Sequence, residues 1–279
     1  MAEPRAIIRT YRPDDEKLVK FTLGLAAMEG LAVANKRGSC ISSIDPELMG
    51  RVIVHHDSVT ELVAQTGVSL VGMVVAAASL RLLGRSDIVR DRMSSSRINR
   101  PYFEDAASDL MHRPDFANLQ KYYTRSPSSG LFILEYGSKF IGLVAVDASK
   151  DSQSEQSFTK KTEKRHVLAG KIDHFYSSGT SSVATIRHFY VEERFRKSNV
   201  QQDILAFVAR HVFTTAQDVK VIKASATPLL GYKYSSLREL GYSVEKQVGK
   251  VGILGWRVDA MSLERARWEK DQNKHSSDL

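Results

Sequence analysis

The sequence predicts an α/β (α+β) domain in which a long helical insertion separates the first strand from the rest. Three observations carry this expectation. Strand-like and helical runs alternate from residue 130 onward. One strand-like run, at residues 6 to 11, precedes them. Between the two lie only helical stretches, two of them strongly apolar. The chain has 279 residues, 42% hydrophobic and 26% charged, which suits a single globular domain over 1–279.

AIIRTY (6 to 11) has strand composition and ends at the turn RPDD. The insertion and its lead into the next strand span 12–129. FTLGLAAMEGLAVAN (21–35) is apolar apart from Glu29, which places a helix over about 18–36. LVAQTGVSLVGMVVAAASL (62–80) carries no charge between Glu61 and Arg81, which places another over about 58–84. That run is near the ~20 residues needed to span a bilayer. Gly72 and Ala76 stand four apart, as in small-residue helix packing. Arg81, Arg85, Arg90 and Arg92 would put the following flank on the cytoplasmic side. If the strand at 6–11 pairs with strands after 130, both ends of the insertion lie on one side of any membrane, so one span alone is excluded. A two-helix hairpin, a shallow monotopic pair, and helices buried against the domain all remain.

GLFILEY (130–136) and KFIGLVAVDA (139–148) read as a hairpin with Gly137 in its turn. Residues 149–182 are polar and expected to form a mobile loop. VATIRHFYV (183–191) is a strand, and 199–213 a helix with Ile204, Leu205, Val208 and Val212 on one face. DVKVIKASA (218–226) is a strand, and PLLGYKYSSLREL (228–240) a helix from Pro228 to the stop at Gly241. YSVEKQVG and VGILGWRV form a closing strand pair, SLERARWEK is a last helix, and 271–279 is expected to be a disordered tail.

The net charge of +8 suits an anionic ligand such as a nucleotide cofactor, or an acidic membrane face. No nucleic acid is expected: the densest basic run, KKTEKR (160–165), sits in a polar stretch with no aromatic interleaving. Cys40 is the only cysteine, which excludes a disulfide framework and suits a reducing compartment. His55 and His56 adjoin and read as a surface pair, so no metal is expected. The opening MAEPRAIIRTYRPDDE is charged from its third residue, so no signal peptide is expected.

The order strand, helices, hairpin, strand, helix, strand, helix, hairpin resembles the GNAT superfamily of acetyl-CoA-dependent N-acetyltransferases, over 6–11 and about 100–258. The resemblance implies a mixed, mostly antiparallel twisted sheet flanked by helices, with acetyl-CoA or another acyl-CoA as cofactor. Its most specific part is RHFYVEERFRKSNVQQDIL (187–205), which resembles the family's cofactor strand, loop and helix. There the strand's main chain and a loop of pattern Q/R-x-x-G-x-G/A hold the pantetheine and pyrophosphate, with N–H groups at the helix start meeting phosphate oxygens. The pattern falls on Arg196, Asn199 and Gln201, so the arginine is kept and both glycines are replaced. Carried over, the cofactor-binding set is Tyr190, Val191, Arg196, Lys197, Ser198, Asn199, Val200 and Gln201. Asn199 tolerates the left-handed φ that glycine would take, whereas Gln201 puts a bulky side chain where pyrophosphate would sit. Ser198 and Gln201 are spaced as a capping box, which would satisfy the helix N–H groups internally.

Members of the family place a general base at positions matching Thr185 or Arg187, and neither residue can act so near neutral pH. Arg187 is expected instead to pair an acidic substrate or a phosphate, with His188 alternating to the opposite face. Glu135, at the end of its strand, is the candidate base. Leu237 matches the family's thiolate-protonating tyrosine, and Tyr234, one turn earlier, is the candidate replacement. The apolar insertion and the lead SDLMHRPDFANLQKYY resemble the membrane-associated branch, which acetylates amino acids and cysteine conjugates. The resemblance implies an N-acyltransferase for a small amine or amino-acid-like substrate. Helices 21–35 and 62–80 would contact a membrane surface or membrane protein, and the location would be cytoplasmic or the cytoplasmic face of a membrane such as the endoplasmic reticulum. The missing base, tyrosine and glycines motivate an alternative: a catalytically inactive GNAT-like binding or chaperone module at that membrane.

Overall fold

A computed structural model of the chain describes residues 5–42, 95–153 and 179–277. The apolar run at 62–80 and most of the 149–182 loop fall outside them. Seven strands form one sheet in the order β1-β2-β3-β4-β5-β7-β6: β1 (Ala6–Thr10), β2 (Gly130–Tyr136), β3 (Lys139–Ser149), β4 (Thr180–Val191), β5 (Val221–Ala226), β6 (Ser243–Val251) and β7 (Trp256–Glu264). Every neighbouring pair is antiparallel except β4–β5. The parallel pair needs a crossover, and helix α5 (Val200–Thr215), the fifth among the described residues, supplies one. Gly137 (φ 64°) turns the β2–β3 hairpin, as its place between two strand-like runs predicts.

The insertion is helical where it is described: α1 (Glu16–Ser42), α2 (Ser95–Met111), α3 (Pro114–Ala117) and α4 (Leu119–Tyr123). After β5 come α6 (Gly231–Glu239) and, at the end, α7 (Arg265–Ser277). One face of the sheet buries Val144, Val146 and Ile222 under Ile204, Val208 and Val212 of α5. The other buries Ile133, Leu143 and Ala145 under Val19 and Leu23 of α1 and Leu119 and Tyr122 of α4. Further along α1, Ala34 packs with Phe103 and Leu229, beside Val251 and Trp256. Helix α1 therefore crosses the strands in turn, from β2 and β3 to beyond the end of β5. By length and composition the helical stretch Pro13–Arg37, most of it in α1, could cross a membrane, but one side of it is seated on the sheet. The outer side leaves Leu18, Phe21 and Leu25 exposed, three or four residues apart on one stripe.

Three expected boundaries move. Ser262, Leu263 and Glu264 pair with Lys223, Ile222 and Val221, so they complete β7 instead of starting the last helix. That helix runs through 271 to Ser277, since no proline or glycine interrupts the residues that were expected to be a disordered tail. Pro228 lies in a turn closed by Leu230 N–H donating to the Thr227 carbonyl, so α6 begins only at Gly231. Gly241 (φ 91°) stops it as expected.

Candidate functional site

The site follows from where β4 and β5 part. They pair only from Val183–Val221 to Ile186–Ala224. Beyond that β4 continues to Val191 with β3 alone beside it, leaving a wedge-shaped opening on its other edge. Main-chain groups alternate sides along a strand, and Glu192 N–H donates to the Ile141 carbonyl of β3. Val191 and Phe189 therefore turn theirs toward the opening. The Val191 carbonyl accepts from Arg196 Nε at 2.9 Å.

A 3-10 turn, Glu193–Ser198, then brings the chain to Asn199, which sits in the left-handed region at φ 57°. It is the only non-glycine with positive φ among the described residues. Asparagine thus takes the conformation for which the family's loop uses glycine. Because Asn199 is that hinge, α5 starts at Val200 and the expected Ser198–Gln201 capping box does not form. No side chain caps the helix. The Gln201 side chain is buried and donates to the Arg196 carbonyl at 2.9 Å, so it braces the corner from inside instead of filling the place expected for pyrophosphate. Lys197 and Ser198 are exposed on the turn, Val200 is packed beside the core, and Tyr190 joins the cluster under α1.

Across the opening stand three residues that the sequence did not single out as site residues. Glu29 of α1 pairs with Arg196 and with Lys233 Nζ at 3.2 Å. Its Oε2 also accepts from the Tyr232 hydroxyl at 3.1 Å. The Arg196 guanidinium lies 3.7 Å from the centre of the Tyr232 ring. Burial, then the Glu29 charge, pushes the Tyr232 hydroxyl far above its usual range. Burial also lowers the Lys233 ammonium, against the pull of Glu29.

The candidate catalytic residues are not brought together. Glu135, expected to reach the cleft as a base, lies on β2, two strands from the opening, and is held at 2.7 Å by Arg9. Tyr234 donates to Asp259 at 3.0 Å and accepts from Arg257 at 3.3 Å. Asp259 stands opposite Ala226, so Tyr234 lies beside the end of β5. Arg187 is buried against Asp147, with Nη2 at 2.9 Å and Nε at 3.0 Å, so its charge is matched within the chain and not held out for a substrate. His188 was expected on the opposite face, but it reaches Asp115 of α3 at 2.6 Å, on the side where Arg187 also meets α4. The cause is a bulge. Ala145 faces His188 while Val146 faces Ile186, which leaves Arg187 as the extra residue and breaks the alternation.

No protein-family model matches the chain, and none of the curated proteins does. Among solved structures, the chain is similar to an acetyltransferase of the GNAT family from Streptococcus pneumoniae, at 9% identity and TM-score 0.46, covering 93% of this chain and 99% of that one. It is also similar to the ribosomal-protein-S5-alanine acetyltransferase from Vibrio fischeri, at 13% identity and TM-score 0.38 over 55% and 70% of the two chains. A third is RimJ from Mycobacterium smegmatis in complex with CoA-disulfide, at 16% identity and TM-score 0.35 over 50% and 54%. The chain's own strand order, with one parallel pair bridged by α5, is the mixed, mostly antiparallel sheet that the sequence resemblance implies.

Proposed function

We propose that the chain is an acyl-CoA-dependent N-acyltransferase, an N-acetyltransferase in the simplest case, acting on a small amine or amino-acid-like substrate. The observation that carries the reading is the opening past Ile186 and Ala224, lined by β4 main chain and leading into the left-handed corner at Asn199. The residues fit the cofactor at three points. Asn199 adopts the glycine conformation, Gln201 is folded inward, and no side chain caps α5. Arg196 and Lys233 would hold the pyrophosphate, and the outward main chain of Phe189 would lie along the pantetheine. When bound, an acyl-CoA supplies a thioester carbonyl open to attack by an amine.

The chain's own contribution is chiefly placement. Holding an amine in line with a reactive carbonyl can supply ~7–11 kcal/mol of the barrier. Tyr234 holds a proton on its hydroxyl beside the end of β5, between the Asp259 acceptor and the Arg257 donor. With Glu135 turned to Arg9, the amine proton is left to water.

A second reading is favoured by two observations. Glu29 already matches Arg196 and Lys233, and α1 exposes Leu18, Phe21 and Leu25 as an apolar stripe. This reading is a catalytically inactive binding module, whose α1 stripe meets a membrane surface or membrane protein on the cytoplasmic face of the endoplasmic reticulum.

Thermal unfolding with saturating acetyl-CoA separates the two. A ligand at a hundredfold its Kd stabilises by about 2.7 kcal/mol. For a chain this long that is a rise of roughly 5 °C. A rise that disappears in Arg196→Ala supports the enzyme. No rise, together with flotation of the protein on anionic vesicles, supports the second reading.

A further inference from the structure

The cations at the opening already have an anion, and the chain itself supplies it. Glu29 is the one charged residue in the apolar run 21–35. A carboxylate on such a helix is costly to bury unless it is paired and hydrogen-bonded. Glu29 meets that requirement with partners from two other segments: Arg196 from the turn after β4, and Tyr232 and Lys233 from α6. Two cations and a hydroxyl around one group is the donor set that a phosphoryl oxygen would use as well as a carboxylate. Arg196 is fixed for the purpose, bonded through Nε to Val191 and stacked on Tyr232.

The seat of α1 explains why the carboxylate falls there. A Cβ built on Gly30 would lie 2.6 Å from the Phe103 ring and 3.4 Å from Leu229, so only glycine lets the helix approach this closely. The neighbouring Glu29 is carried to the mouth of the opening by that close approach.

We propose that Glu29 is a built-in competitor for the anionic part of the ligand. In the state described, α1 closes the opening by laying the Glu29 carboxylate on Arg196, Lys233 and Tyr232. The pyrophosphate of an acyl-CoA binds by taking these partners, and Glu29 is released to solvent. The inference rests on the cofactor reading above and adds to it a control: whatever draws α1 away from the sheet raises affinity at the opening.

Equilibrium titration of coenzyme A and of inorganic pyrophosphate tests this, on wild type, Glu29→Gln and Glu29→Gln/Arg196→Ala, with unfolding temperatures recorded alongside. Glu29→Gln keeps the shape and removes the charge. It is expected to lower the Kd for both probes by about tenfold or more, the size of an ordinary coupling between sites. Its unfolding temperature should fall without anion and recover with pyrophosphate, and both gains should vanish in the double variant. Equal coenzyme A affinity in wild type and Glu29→Gln overturns the competition while leaving the cofactor reading intact. No binding of either probe by folded wild type or folded Glu29→Gln overturns both. Should Glu29→Gln not fold, Glu29→Asp keeps the charge but shortens its reach, and it too must tighten coenzyme A binding for the proposal to stand.

Discussion

Strand β4 serves two charged clusters, and they differ in their access to water. At its bulge, Arg187 and Arg125 meet Asp147 while His188 and Tyr123 meet Asp115. The ionisable side chains of the three pairs Arg125–Asp147, Arg187–Asp147 and His188–Asp115 are between 0% and 5% exposed. At its end, Glu29, Arg196 and Lys233 are between 13% and 20% exposed. The first cluster is sealed. Asp147 Oδ2 is filled by Arg187, Arg125 and the Tyr122 hydroxyl, and its Oδ1 by Ser149. An incoming anion would have to strip a carboxylate from a place that solvent does not reach. The second cluster touches water, so its carboxylate can be exchanged for another anion without leaving bare charges in the interior. Similar residue types therefore do different work: one set fixes the strand to α4, the other can open.

The sealed cluster should show the largest stability effects. Asp147→Asn leaves Arg187 and Arg125 buried together without a counter-charge. Removing one partner of such a pair costs about 3–5 kcal/mol, to be read from urea unfolding. A cost below ~1 kcal/mol would mean that water reaches the cluster after all and that the contrast with Glu29 is false.

Acid should expose the same cluster. Burial opposes the Asp115 carboxylate, but the charge and bond of His188, with Arg187 and Arg113, carry it well below the usual range. Asp147 is likewise lowered, burial being outweighed by Arg187, Ser149 and Arg125. A carboxyl whose folded pKa is depressed contributes stability that is present above its unfolded value, near 4, and lost as pH falls below it. The unfolding temperature of wild type should therefore drop as pH falls below about 4. Asp115→Asn, already weaker at neutral pH, should drop less steeply. Parallel curves would show that Asp115 is not held ionised by His188.

Much of the fold was legible because it depends on neighbours along the chain. Strand runs bounded by Gly137 and Gly241 gave β2 with its limits unchanged, β3 to within a residue, and the stop of α6. The left-handed Asn199 was legible for the same reason, as a property of one residue type at one corner. The site was less legible because it depends on distance. Glu29 and Arg196 are 167 residues apart, and no periodicity links them. Glu29 did leave a signal, as the lone charge in an apolar run, and that signal asks for a buried cation without saying which. The faces of Arg187 and His188 were misread because a bulge removes the alternation on which such a reading depends. Glu135 looked available only because Arg9, on the neighbouring strand, is far from it in sequence.

The smallest predicted effects bear most directly on the end that can open. Helix α1 carries two glycines in the stretch that crosses the sheet, Gly24 and Gly30. In a helix interior, Gly→Ala is ordinarily stabilising by about 0.5–1 kcal/mol. At Gly24 a Cβ would have nothing within 4 Å, so Gly24→Ala should show that gain. At Gly30 the same Cβ would press on Phe103, which is buried. Overpacking of this kind costs about 1–3 kcal/mol, which exceeds the gain and reverses the sign. Chemical denaturation of the two variants should therefore move in opposite directions, and Gly30→Ala should also bind coenzyme A more tightly as α1 lifts Glu29 from its cations. If instead Gly30→Ala is stabilised like Gly24→Ala, then α1 is not seated on Phe103. Nothing would then hold Glu29 over Arg196 and Lys233, and the partly open cluster would lose the contact that sets it apart from the sealed one.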